Sequence, residues 1–305
     1  MSKLFFFKDL DSRYIMKIFG IRFILKHKSN VTIPNVKEYG LTDKNRKPKL
    51  IVSLTSYPAR INSVHKTIRT ILTQSLKPDK VILWLEKSEF QGGEKDLPAE
   101  LLMLKEYGLS IEWTDFGLRS YKKLIPALLK YPDDIIVTTD DDVLYSPKMI
   151  ESLYNEYLKD TSNIYVKRAV RLGLKNNEIY NISSRKYDYH DLGYPSYFNQ
   201  QMGAAACLYP PHALHSDCTN IEKLKKLLPT HDDVYFKVMA TLNRVKVKVV
   251  GGFNEDLNII EETQNVGLIN INKTGAQGVS LNEAYKIMQQ EYPEIIQILK
   301  EGLND

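Results

Sequence analysis

Asp134-Ile135-Ile136-Val137-Thr138-Thr139-Asp140-Asp141-Asp142-Val143 drives a run of β-branched residues straight into three consecutive carboxylates. A short run rich in Ile and Val, without alternation, predicts a strand buried on both faces of a sheet. Three acidic side chains at the end of such a strand repel one another, and they are costly there unless a cation neutralises them. Oxygen-only ligands select hard divalent ions, Mg²⁺ or Mn²⁺, which are commonly shared with substrate phosphates. The stretch therefore points to metal-assisted chemistry on a phosphorylated substrate. The competing reading is a solvated acidic turn. On an extended segment side chains alternate, so Asp140 and Asp142 are expected to face one way and Asp141 the other. Asp142 is the expected direct metal ligand, with Asp140 nearer the sugar of a bound nucleotide.

Outward from this stretch the chain alternates between two periods. Residues 49–55, 80–85 and 110–113 read as strands, and 62–74 and 122–130 as helices. Ser146-Pro147 opens a further helix, and 163–170, 203–209 and 245–250 are further strands. Residues 231–242 and 281–299 read as helices, the latter bent at Pro293. Residues 171–203, rich in Tyr, Asn, Ser and Gly, read as irregular. Strands alternating with helices predict an α/β domain on a mainly parallel sheet, in which ligands bind at the carboxyl ends of the strands. The triplet and Thr55–Arg60 both fall at such ends, so one crevice could hold both.

The chain has 305 residues, 43% of them hydrophobic, enough for one large α/β domain with a small appendage. Residues 1–48 read as the appendage, marked off by polar, Pro-containing sequence, and 49–305 as the domain. Within the appendage, 14–28 mixes bulky apolar residues with Lys and Arg. Such a stretch suits the interface of an anionic membrane, or a core-docking segment with a basic outer face. The net charge of +5 suits an anionic ligand but is too weak to argue for nucleic acid. The apolar patch Leu4–Phe7 is too short for a secretory leader, and no apolar run reaches the length of a membrane span. The two cysteines, Cys207 and Cys218, form no CxxC pattern and predict no zinc site. A reduced, cytoplasmic setting is the expectation.

Three further constellations could carry chemistry. Thr230-His231-Asp232-Asp233-Val234 opens an apolar helix with an acidic pair. The plain reading is a Thr230 N-cap with carboxylates complementing the helix dipole. The functional reading is a general base, Asp232 or Asp233, that takes a proton from an attacking hydroxyl. Thr55-Ser56-Tyr57-Pro58-Ala59-Arg60 offers hydroxyls, an aromatic face and a guanidinium for a nucleotide, or is a plain turn. Arg119-Ser120-Tyr121-Lys122-Lys123 supplies cations that could meet a diphosphate, or a solvated basic surface. The segment 180–197 adds several of the chain's 19 tyrosines, a residue suited to gripping sugars.

Together these stretches resemble a bacterial GT-A-type glycosyltransferase family, similar to the family 2 enzymes that assemble capsule, O-antigen or lipopolysaccharide. The matching pieces are Ile51 to Ile61, Ser120 to Leu128, Ile135 to Val143, Leu208-Tyr209-Pro210-Pro211 and Pro229 to Val234, in the family's order. The resemblance implies a GT-A fold, a nucleotide-sugar donor (UDP-sugar favoured) and a divalent metal, Mn²⁺ or Mg²⁺. It implies a DXD-like role for Asp140 and Asp142, with Asp141 beside the donor, and a base role for Asp232 or Asp233 in an inverting transfer. Thr55, Ser56, Tyr57, Arg60, Lys122 and Lys123 are then expected on the donor. The acceptor is expected to be a glycan or lipid-linked glycan, with the chain cytoplasmic or peripheral on the inner membrane. Gly275-Ala276-Gln277-Gly278 departs from the pattern by lacking an acidic residue. Two rivals stand beside this reading. A sugar-phosphate nucleotidyltransferase needs a glycine-rich basic loop after the first strand, which Ser56–Arg60 does not supply. A non-catalytic carbohydrate-binding protein on the same fold would be expected to carry a broken triplet.

Overall fold

The computed structural model describes residues 6–10, 13–18, 21–26, 38–182, 192–252, 254, 257–266 and 279–303. Its strands are β1 (Phe6–Leu10), β2 (Arg13–Ile18), β3 (Ile21–Lys26), β4 (Leu50–Thr55), β5 (Lys80–Glu86), β6 (Leu109–Thr114) and β7 (Ile135–Thr138). They continue with β8 (Ile164–Val166), β9 (Ala169–Lys175), β10 (Glu178–Ile182), β11 (Asn199–Gln201), β12 (Cys207–Tyr209) and β13 (Val247–Val249). The α-helices are α1 (Val64–Leu72), α2 (Ala99–Leu102), α3 (Ile125–Lys130), α4 (Met149–Tyr157), α5 (Ile221–Leu227), α6 (Asp232–Leu242), α7 (Leu281–Glu291) and α8 (Ile295–Glu301).

The central sheet has seven strands in the order β13-β8-β12-β7-β4-β5-β6. Strands β7, β4, β5 and β6 are parallel, β13 is parallel to β8, and β12 runs antiparallel between β7 and β8. This is the mainly parallel, helix-flanked α/β sheet expected of a GT-A fold. The interior strands read as near-continuous apolar runs because helices cover both faces. Ile51, Ile82 and Ile136 enter one core, and their neighbours Val52, Val81 and Val137 enter the other. The carboxyl ends of β4 to β7 share one edge, which places Thr55–Arg60 beside Asp140–Asp142.

Several elements depart from the sequence expectation. The segment 171–203 contains most of β9 and all of β10 and β11, paired as a second, antiparallel sheet. The β9–β10 hairpin turns at Asn176 and Asn177, whose φ of 53° and 62° suit a two-residue turn of the primed type. That Asn-Asn pair was the local signal for it. Residues 163–170 split into β8 and the start of β9. Helix α4 begins at Met149 after Lys148, not directly after Ser146. The predicted C-terminal helix is divided at Pro293 into α7 and α8.

In the first 48 residues, β1, β2 and β3 form an antiparallel sheet. Residues 19, 20, 27 and 28 of the basic stretch, the patch residues Leu4 and Phe5, and Gly275–Gly278 lie outside the described residues. Residues 38–48 are tied to the main domain. Arg46 pairs with Asp79 at 2.7 Å, and the Gly40 and Thr42 amides donate to Leu72 O and Pro78 O. No helix among the described residues is long and apolar enough to cross a membrane. Both cysteines are free and buried.

Candidate active site

Strand β7 ends at Thr138, so regular alternation stops before the triplet. Asp140 accepts a hydrogen bond from Lys123 Nζ on Oδ1 at 2.9 Å. Asp141 turns inward, where Ser56 Oγ donates to Oδ2 at 2.6 Å and Arg60 Nη1 donates to Oδ1 at 2.8 Å. The same Arg60 Nη1 lies 3.0 Å from Asp142 Oδ2. Simple alternation would have separated Asp141 from Asp142; the turn instead brings both to one guanidinium. Tyr145 OH accepts from the Asp140 amide at 2.9 Å and donates to Ala204 O at 3.1 Å.

The turn after β4 is thereby engaged with the triplet. Ser56 and Arg60 are on Asp141, and the Arg60 guanidinium also stacks over the Tyr57 ring at 5.7 Å. Thr55 Oγ1 donates to Trp84 O at 2.8 Å. Thr67 donates its hydroxyl to Asp141 O at 3.1 Å. The two predicted cations of 122–123 part company. Lys122 Nζ sits 3.0 Å from Glu89 and 4.0 Å from Glu86, buried and away from the triplet's partners. Lys123 Nζ bridges Asp140 and, at 3.3 Å, Asp232 Oδ2.

The acidic pair at the start of α6 completes the cluster. The helix is preceded by His231 in the N-cap position, not Thr230, and His231 Nε2 donates to Val279 O at 2.6 Å. Asp233 is half-buried and accepts from the Gly203 amide at 3.0 Å. Desolvation first, and then the neighbouring Asp232, push its carboxyl up to about 7, against the pull of Lys123 and the Gly203 amide. Burial works against the Lys123 charge, yet Asp140, Asp232 and Asp233 together hold its pKa well above the ordinary lysine value.

The metal question turns on the donor set. Both Asp141 oxygens are occupied by Ser56 and Arg60, whereas Asp140 keeps Oδ2 and is 27% exposed along its side chain. Among the described residues no group of three or more acidic, His or Cys side chains could hold an ion unaided. All three carboxylates thus carry protein partners, Lys123 on Asp140, Ser56 and Arg60 on Asp141, and Arg60 on Asp142.

Sequence reasoning passed over three contributors. Thr67 was visible as a polar residue on the apolar stripe Val64, Ile68, Ile71. Tyr145 and Gly203 carry no signal short of three dimensions.

The chain matches no protein-family model and no curated protein sequence. Among solved structures it is similar to the S. aureus TarS 1-349 fragment in complex with UDP-GlcNAc. The TM-score there is 0.46 at 14% identity, covering 84% of this chain and 72% of that one. Mannosyltransferase PcManGT from Pyrobaculum calidifontis, in complex with GDP-Man and Mn²⁺, gives 0.46 at 13% identity, over 87% and 77%. A CMP:2-keto-3-deoxy-manno-octonic acid synthetase complexed with CTP gives 0.41 at 10% identity, over 74% and 99%. At TM-scores below 0.5 these likenesses decide nothing about this chain's chemistry.

Proposed function

We propose that this chain transfers a sugar from a nucleotide-diphosphate donor, a UDP-sugar by preference, to a hydroxyl of a glycan or lipid-linked glycan. The observation that carries the reading is the meeting, at the carboxyl ends of parallel strands, of the Asp140–Asp142 triplet with the Asp232-Asp233 pair, through Lys123 between Asp140 and Asp232. One carboxylate group suits a charged, phosphorylated donor, and the other suits a proton acceptor. A base works best with a pKa near the operating pH, which is where Asp233 stands. Asp233 takes the proton of the acceptor hydroxyl, and the bound geometry supplies proximity. Attack from the face opposite the diphosphate inverts the anomeric centre. Mn²⁺ or Mg²⁺, held by Asp140 and Asp142, would stabilise charge on the leaving diphosphate. Tyr57 offers a ring for the donor's base or sugar. Residues 14–28 would lend the chain a peripheral hold on an anionic membrane surface, checked by comparing the membrane partition of full-length and truncated protein.

The test is thermal stabilisation by UDP, GDP, CDP and ADP and their sugar conjugates, with and without Mn²⁺. A ligand at about a hundred times its Kd should add roughly 2.7 kcal/mol. Stabilisation by one diphosphate that needs Mn²⁺ supports the reading and names the donor class. No response to any nucleotide, with Mn²⁺ present, overturns it.

A further inference from the structure

We infer that Lys123 is a positioning residue that links the donor-side carboxylate Asp140 to the acceptor-side carboxylate Asp232, so that the charge state of one side sets the availability of the other. The inference rests on the proposed assignment of the triplet to the donor and of Asp232-Asp233 to the acceptor.

Lys123 is anchored before its ammonium reaches the site. It ends the short 3₁₀ turn Arg119–Lys123, and its carbonyl accepts from Ser53 Oγ at 2.6 Å. Trp84 Nε1 in turn donates to that Ser53 Oγ at 2.9 Å, which fixes the turn to β4 and β5. The side chain is 8% exposed, so the ammonium depends on protein carboxylates. It shares itself unequally. Asp140 receives a hydrogen bond, whereas Asp232 Oδ2, at 3.3 Å, is buried without one. An ammonium is a compact charge on a flexible stem, able to lean toward whichever carboxylate is more negative.

Gly203 shapes the same spot. A Cβ there would lie 2.4 Å from Lys123 Nζ and 3.1 Å from Asp233 Oδ1. Its backbone is outside the left-handed region, so the need for glycine is one of space. The Gly203 amide also holds Asp233. Lys123, Gly203 and the three aspartates Asp140, Asp232 and Asp233 thus form one contiguous contact between the turn after β7, the 203 turn and α6.

If Lys123 carries the link, removing the Asp232 charge lets it settle wholly on Asp140, and Asp140 becomes less available to a cation. The test starts without ligand. Melting temperatures are measured for Asp140→Asn, Asp232→Asn and the double variant, each in wild-type and Lys123→Met backgrounds. Non-additivity is expected with Lys123 present and a different, smaller one without it. Direct repulsion between the two carboxylates survives in both backgrounds and is thereby separated. Gly203→Ala, which displaces the ammonium while keeping every charge, should reduce the coupling as Lys123→Met does, and stands in for it if that variant does not fold. Equal coupling in all backgrounds overturns the inference.

The second arm titrates UDP and GDP with Mn²⁺ by calorimetry. Asp232→Asn should weaken the diphosphate that binds by at least threefold, and the effect should vanish in Lys123→Met or Gly203→Ala. A role confined to stability would leave that affinity unmoved, and unmoved affinity overturns the inference. Coupling in the first arm with no diphosphate bound by any variant supports the Lys123 link and overturns the sugar-transfer reading instead.

Discussion

Arg60 and Asp141 form a buried pair between the turn after the first parallel strand and the turn after the fourth, Nη1 to Oδ1 at 2.8 Å. Ser56 closes the other carboxylate oxygen. Removing Arg60 leaves the buried Asp141 charge uncompensated, at a cost of about 3–5 kcal/mol, whereas removing Asp141 leaves Arg60 with Asp142. Arg60→Ala should therefore lower Tm by on the order of 10 °C in the absence of any ligand, and Asp141→Ala, which orphans Ser56 but not Arg60, by about half that. A Tm within a degree or two of wild type for Asp141→Ala would show that the pair does not hold the site together.

Asp142 shares Arg60 but is more exposed than Asp141, with its side chain at 13% against 7%. Its removal leaves the Arg60–Asp141 pair intact. Asp142→Ala should cost less stability than Asp141→Ala, about 1 kcal/mol or less, because a neutral residue leaves no buried charge orphaned there. It should also abolish the Mn²⁺-dependent part of nucleotide stabilisation. The two measurements come from one set of melts with and without Mn²⁺ and diphosphate. Loss of stability equal to that of Asp141→Ala, with Mn²⁺ dependence retained, would exchange the two roles.

The strands that carry the site were legible because their burial on both faces leaves near-continuous apolar runs, as in Leu50–Val52 and Ile135–Val137. The same logic fails for short strands of mixed surface. Strands β9 to β11 contain Arg171, Lys175, Asn181 and Gln200, and the β9–β10 pairing is set by the Asn176-Asn177 turn, not by an apolar pattern. The candidate site was legible as a list of charged residues but not as a set of pairs. Two adjacent lysines look alike in sequence, yet Lys122 serves Glu89 and Lys123 serves Asp140, because the 3₁₀ turn sends them different ways. Gly203 matters only through the atoms that approach it, and approach is invisible to spacing.

Asp233 sets the expected pH behaviour. As the proposed base it must be unprotonated, so the proposed transfer should rise with pH through about 7 and level off above it. Asp233→Asn should lower turnover by about 10²–10⁴ and remove that limb while leaving diphosphate binding in place. Stability runs the opposite way. The folded carboxyl holds its proton to higher pH than its ordinary value of 3.8, so the folded state loses stability as pH rises from there through about 7. Asp233→Asn should therefore gain in Tm relative to wild type at pH 8 and not at pH 4. Melts at the two pH values decide this without an assay for the reaction, and a gain at pH 4 alone would contradict it.

One turn further along α6, Lys237 is buried and its Nζ has no hydrogen-bond partner. It borders a cavity of about 10 Å³ lined by Leu172, Ile179, Tyr285 and Leu299 among others. Burial, and secondarily the Arg171 charge, lower its pKa from 10.5 to about 7. The unfolded chain thus binds a proton that the folded chain gives up between those values, and stability rises with pH across that window. Below about 7 the folded state holds a buried ammonium with nothing to meet it. Lys237→Met keeps the stem's volume and removes the charge, so it should stabilise the fold by about 1–3 kcal/mol at pH 6. For a chain of this size that is a Tm gain of on the order of 5 °C. The gain should shrink as pH approaches 10, where the amine is neutral in both states. A destabilised Lys237→Met at pH 6 would mean that the amine has a partner there, and that α6 depends on it.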